Sequence, residues 1–298
     1  MSEMEALARS FEEHRSHLRA VAYRMLGSIG ESEDAVQEAW LRLSRSDTTA
    51  VDNLGGWLTT VVGRICLDML RSRTTRREEP LHGEDGLVRL PDPVVTGLAG
   101  IDPENEVLVA DSVGIALLVV LETLSPAERL AFVLHDLFAV PFDEIAPVLG
   151  RTAASTRQLA SRARRRVGGA APAQDADRER TRGIVDAFLA ASRGGDLGAL
   201  LDLLDPEVVA RSDGGTLRPS LVRRGARDVA SQAIMFARFA QAAQPVLING
   251  FPGVLSRSSD GSPLSLMAFT VRGGRIAALD ILTDPDRLAA LTAGTLPD

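Results

Sequence analysis

The 298-residue chain contains no lysine, so all 33 of its basic side chains are arginine. It has one cysteine, Cys66, which excludes an intramolecular disulfide and a cysteine-built zinc site and suits a reducing compartment. Its one tyrosine is Tyr23, and its four histidines are His14, His17, His82 and His135. Beyond residue 135 the chain therefore has neither residue type, and proton transfer there would rest on carboxylates. Long apolar runs are missing too. The longest, around Val113 to Leu121, is too short to span a bilayer. The first fifteen residues are charged and lack the apolar core of a signal peptide. The expectation is a soluble, cytoplasmic protein with no membrane partner, metal or cofactor.

The net charge is −7, and it is shared unevenly. Residues 1–170 carry 19 Arg against 25 Asp and Glu, and residues 171–298 carry 14 against 15. Neither part is basic as a whole. Yet residues 151–166 hold six arginines and no acid, and residues 71–77 hold four arginines. Affinity for DNA follows such local patches rather than the total.

With 45% hydrophobic residues the chain can bury more than one core, and its length predicts two or three domains. Residues 5–77 read as helices. Leu18, Val21, Ala22, Met25 and Leu26 recur at helical spacing, Ser32 reads as an N-cap, and Trp57 begins a third helix. Residues 78–103, with four prolines and four glycines, read as a linker without regular structure. Residues 104–169 are helical again, and Gly168 to Asp175 is a short second linker. In residues 177–298 helices at 178–191, 196–204 and 225–241 precede four strands, with Asp260-Gly261 and Gly273-Gly274 as hairpin turns. That order predicts an α+β domain with an antiparallel meander.

The segment 141–167 has the pattern of a helix-turn-helix. A short helix from Pro141 to Leu149 meets Gly150, and Thr152 caps the next helix. In that helix Thr156, Leu159, Ala160, Ala163 and Val167 share one face; Arg157, Gln158, Ser161, Arg162 and Arg165 share another. The second face has the chemistry to meet base edges and phosphates in a major groove. A solvated basic face on a structural helix is the bland alternative. Two further segments are ambiguous from the residues alone: Asp34-x-x-Gln37-Glu38-x-x-Leu41-Arg42 on an amphipathic helix, and Trp57-Leu58 leading into an arginine-rich tail.

Taken in order, these segments resemble the extracytoplasmic-function sigma factors of bacterial RNA polymerase, over residues 8–168. The resemblance implies that Asp34, Gln37, Glu38, Leu41 and Arg42 bind core polymerase. It implies that Trp57, Arg64, Arg71, Arg73, Arg76 and Arg77 serve the melted −10 strand. Thr152, Ser155, Arg157, Gln158, Ser161, Arg162 and Arg165 would read the double-stranded −35 element. Leu124-Ser125-Pro126-x-x-Arg129 also matches the second sigma domain. A longer side chain is usual in the family where Gly63 stands.

The C-terminal third is similar to SnoaL-like domains, a cone-shaped α+β fold shared with cyclases and isomerases. The subgroup carrying this extension has a proline motif in the linker, matched by Leu90, Pro91, Asp92 and Pro93. It also has an Asp-Gly-Gly motif, matched by Asp213, Gly214 and Gly215, and an Asn-Gly-x-x-Gly motif, matched by Asn249, Gly250 and Gly253. These residues are expected to form a regulatory contact, with the glycines opening room for another backbone. The subgroup's usual lysine is missing, and Arg218 is the expected substitute. A catalytic extension is the weaker reading: Asp213 and Asp280 are candidate bases without a tyrosine or histidine partner. No residue is assigned as catalytic. The alternative for the whole chain is a helix-turn-helix regulator fused to a small-molecule-binding or cyclase-type domain, and a ligand of the C-terminal domain fits either reading.

Overall fold

The computed structural model describes residues 3–46, 51, 53–75, 89–98, 114–170, 177–215, 220–237 and 242–293. The chain divides into two compact units, Met1–Glu79 with Val120–Ala170, and Pro80–Val119 with Ala171–Asp298.

The first unit is helical. α1 (Glu3–Leu26), α2 (Ile29–Leu43) and α3 (Leu54–Thr75) bury the apolar stripes expected of them, including Leu18, Val21 and Met25, then Val36, Ala39 and Leu43, then Leu58, Val62 and Ile65. Ser32 is not an N-cap. It lies buried inside α2 and donates its hydroxyl to the Ser28 carbonyl at 2.5 Å, because the break falls earlier, at Gly27, whose φ is +67°. Likewise α3 begins three residues before Trp57.

α4 (Ile115–Glu122) straddles the boundary between the units, and the expected helix over residues 104–113 lies outside the described residues. α5 (Pro126–Phe132) starts with a full capping box: Ser125 Oγ accepts from the Glu128 amide and the Glu128 carboxylate accepts from the Ser125 amide. A π-helical turn, Val133–Leu137, leads to α6 (Phe142–Leu149). Gly150 ends α6 in the left-handed region, and Thr152 Oγ1 accepts the Ser155 amide at 3.2 Å to open α7 (Ala153–Ala170). α7 runs through Gly168 and Gly169, which were expected in a linker.

The helix-turn-helix part packs on the three-helix part within this unit, with Phe138 set against His17 and Arg24 of α1. A Cβ added at Gly63 would lie 3.0 Å and 3.2 Å from methyl carbons of Leu134 and Leu130, so α3 has a notch that those leucines fill. Arg129, 2% exposed, pairs with Glu122 at 2.7 Å and donates to the Arg24 carbonyl at 3.3 Å.

The second unit is built on a seven-stranded sheet. Its strands are β1 (Val95–Thr96), β2 (Leu204–Asp213), β3 (Leu221–Arg224), β4 (Ala242–Ile248), β5 (Phe251–Arg257), β6 (Pro263–Arg272) and β7 (Arg275–Leu282), in the order β1-β4-β5-β6-β7-β2-β3. All neighbours are antiparallel except β2 and β7. The meander expected from sequence covers β4 to β7; β2 and β3 extend it across a parallel pairing.

α8 (Arg178–Gly194), α9 (Leu197–Leu203) and α10 (Ala226–Ala237) cover one face of the sheet, around Phe188, Leu200, Val229, Phe269 and Leu279. Leu90, Val95, Ile115, Val119 and Leu288 of α11 (Pro285–Thr292) cover the other, over Val246, Ile248, Leu255, Leu266 and Leu282. Residues 89–94 have no regular structure, as expected of a linker, but Val95 and Thr96 form a strand and the segment is buried against the sheet. Prolines bar a helix here but tolerate an edge strand, and Leu90, Val94 and Val95 gain more by burial against a sheet than in water.

Candidate functional site

Asp34, Gln37 and Leu41 are exposed on one side of α2, with Glu38 and Arg42 half-buried beside them and paired at 3.0 Å. Leu41 is 39% exposed, unusual for a leucine that could turn inward, and gives this charged face an apolar centre.

On α3, Trp57 is half-buried and Arg64 exposed. Arg71 is exposed and lies 3.7 Å from Asp68. Arg73 is spent differently: it donates to Glu31 at 3.1 Å and to the Leu26 carbonyl at 3.3 Å, tying α3 to the junction of α1 and α2. Arg76 and Arg77 lie outside the described residues.

The recognition face of α7 has the predicted division. Thr156, Leu159, Ala160 and Ala163 are buried; Arg157, Gln158, Ser161, Arg162 and Arg165 are exposed, with Thr152 exposed and Ser155 half-buried at its start. The helix does not spend all its arginines on that face. Arg164 pairs with Asp136 at 2.6 Å and Arg166 with Glu128 at 3.0 Å. Arg157 stands 5.2 Å over the Phe142 ring, which itself stacks on His135 at 3.7 Å.

The motif residues of the second unit converge on residues 90–96. Asp213, 2% exposed, accepts the Leu90 amide at 2.7 Å and the Gly215 amide at 3.0 Å. Asn249, 3% exposed and at φ +48°, accepts the Val94 amide at 2.7 Å and donates its own amide to the Val94 carbonyl at 2.8 Å. Asn249 and Gly250, both at positive φ, turn β4 into β5. Pro91 and Pro93 are buried, and β1 continues the contact by pairing with β4.

At two of the glycines the room goes to groups other than residues 90–96. The space that a side chain would need at Gly215 is held by Asp284, and at Gly253 by Ile248 and the Met267 carbonyl. They allow packing inside the sheet domain, while the Asp213 and Asn249 side chains reach the other strand. A residue not anticipated completes the site. Arg287 donates to Asp213 at 2.6 Å, to Asp92 at 2.6 and 3.0 Å and to the Leu90 carbonyl at 2.7 Å. Arg218, the expected substitute for the absent lysine, lies outside the described residues. The one sequence cue was an arginine in the first turn of a short, Asp284-capped helix.

The two candidate bases are engaged differently. Asp213 is consumed by the contacts above. Burial pushes the Asp280 carboxyl up from its ordinary value against the opposing pull of Arg211, its partner at 3.0 Å. Among the described residues no cluster of metal-ligating side chains forms, and no helix is long and apolar enough to cross a membrane.

Comparison with known proteins places these features. Residues 10–76 match the Sigma-70 region 2 family and residues 115–167 the Sigma-70, region 4 family. The chain is 41% identical over 292 residues to the ECF RNA polymerase sigma factor SigJ of Mycobacterium tuberculosis, spanning 93% of this chain and 91% of that one. It is 36% identical over 301 residues to the probable ECF sigma factor SigI of the same species, spanning 98% of each. The crystal structure of SigJ superposes with a TM-score of 0.77 at 37% identity, over 96% of this chain and 99% of that chain. Relatedness along nearly the whole length, extension included, makes the assignment: the chain belongs to the extracytoplasmic-function family of RNA polymerase sigma factors.

Proposed function

We propose that the three-helix part engages core RNA polymerase through Asp34, Gln37, Glu38, Leu41 and Arg42, and that α7 reads the −35 element of double-stranded promoter DNA. Trp57, Arg64 and Arg71 are placed for the melted −10 strand, while Arg73 acts as an internal tie. The factor performs no covalent chemistry. The observation that carries this reading is the division of α7, whose inner face is apolar and whose outer face offers Arg157, Gln158, Arg162 and Arg165 to a groove.

The extension acts on the linker. Residues 80–119 join the two stretches of the first unit, and the extension holds 90–96 through Asp213, Asn249 and Arg287. A tether so held has less reach than a free one, which favours the packed state of the first unit and restrains promoter binding until polymerase or a ligand shifts the population. The same domain offers a cavity to a small molecule, in a binding rather than a catalytic role.

Run-off transcription with core polymerase tests the central claim. Replacing both Asp34 and Glu38 with arginine abolishes initiation while leaving thermal unfolding unchanged. Normal initiation by that variant would remove α2 from the mechanism. Binding of the chain to promoter DNA with high affinity and sequence selectivity, without polymerase, would favour an ordinary repressor.

A further inference from the structure

The second unit holds a cavity of about 330 Å³ between the inner face of the sheet and α8 and α10, within the size range of small-molecule sites. Leu221 and Phe236, 42% and 54% exposed, mark its mouth. Its depth is apolar, with Leu189, Val229, Met267 and Leu279 in the wall. Serines, a threonine and Gln232 also line it, but its charged residues are of one kind. Among the described residues the wall carries Arg193, Arg211 and Arg223 but no Asp, Glu, His or Tyr.

These three arginines are not equivalent. Arg211 is neutralised by Asp280, and Arg193 is exposed. Arg223 is different. It sits on edge strand β3 opposite Ala210, which puts it on the cavity side of the sheet, and its Nε is buried with no hydrogen-bond partner among the described residues. A buried guanidinium N–H without an acceptor is costly, and folded proteins supply an acceptor in nearly every such case. Among the described residues lining the cavity there is no carboxylate to do so.

We propose that this cavity binds an apolar monoanion, a medium-chain carboxylate, with its charged end on Arg223 and its chain against the apolar wall. The inference rests on the reading of the extension as a binding rather than a catalytic domain, and it names the chemical class bound. Arginine suits the role because its planar fork accepts a carboxylate with two parallel hydrogen bonds and stays charged at any physiological pH. A wall without a general base binds such a molecule without transforming it.

The test is isothermal titration calorimetry on the full chain at constant ionic strength, with sodium decanoate and with 1-decanol, which share a chain and differ in charge. Decanoate is expected to bind one per chain and decanol at least about tenfold more weakly, the factor a charge-assisted hydrogen bond supplies. Arg223→Met, with Arg223→Gln as a second variant, brings decanoate down to the level of decanol and leaves decanol unchanged. Ala233→Trp, which fills the cavity from α10, abolishes both. Equal affinity for the two probes in the unaltered chain would overturn the anion claim and leave a generic apolar binding site standing. Absence of binding by either probe would overturn both this claim and the reading beneath it. Decanoate binding that survives both Arg223→Met and Ala233→Trp would place the molecule elsewhere and overturn the proposal as well.

Discussion

Arg287 shows how much one side chain can carry. It is half-buried, and its guanidinium serves Asp213, Asp92 and the Leu90 carbonyl at once. Removing it leaves the Asp213 carboxylate buried without its cation, the costly half of a broken ion pair. Arg287→Ala should destabilise the second unit by about 3 kcal/mol in chemical denaturation. Arg287→Lys should recover only part, because a point charge cannot replace a fork that reaches three acceptors. Full stability in Arg287→Ala would mean that the linker is held by the sheet alone. Cys66 illustrates the opposite case, a reactive group made inert. Complete burial on α3 pushes its thiol from an ordinary 9.0 up to about 12. Below pH 9.0 the thiol is protonated in both folded and unfolded chains and adds no pH dependence. From there to about 12 only the unfolded chain ionises, so stability falls as pH rises, by up to about 1.4 kcal/mol per pH unit. Subtracting the profile of Cys66→Ala isolates this slope, and a flat difference would refute it. The absence of lysine removes one class of competing titration from that window.

At the scale of elements, α3 and α5 meet where the family usually has a longer side chain than Gly63. The notch there accepts Leu130 and Leu134, and a second tie joins the same parts through Arg129 and the Arg24 carbonyl. Gly63→Leu should force these leucines aside at a cost of about 1–3 kcal/mol, the usual range for overfilling a packed core. If the packed state restrains promoter binding, the same change should speed amide exchange in α5 and raise promoter occupancy with polymerase. Faster exchange with unchanged occupancy would leave the packing structural and separate it from regulation. The two faces of α7 need no such help to be identified. Its buried positions at 156, 159, 160 and 163 follow the helical repeat, and the repeat by itself sends Arg157, Gln158, Ser161 and Arg162 to the other side. What the repeat does not encode is which arginines stay available. Arg164 and Arg166 find Asp136 and Glu128, residues 28 and 38 positions away, through tertiary packing.

For the whole molecule, the linker is the point at which local reading fails. Asn249 holds residue 94 across 155 positions and Asp213 holds residue 90 across 123, so no window of sequence contains the contact. Asn249→Ala should release the Val94 amide and leave Asn249's strained φ of +48° to a residue that tolerates it poorly. In run-off transcription the freed linker should change promoter activity in the same direction as Arg287→Ala. If neither substitution alters transcription, the extension does not regulate through residues 90–96. The sequence by itself determined the helical nature of the first unit, the two faces of α7, the four-strand meander from β4 to β7 and the family, because periodicity, capping residues and motif order are local properties. Tertiary structure alone decided that β2 enters the sheet in parallel beside β7 and that Val95 and Thr96 of a proline-rich linker form an edge strand. It also decided that Arg287 neutralises Asp213. Each of these depends on a partner brought close only by folding, and the energy of burying a polar or apolar group is set by that partner.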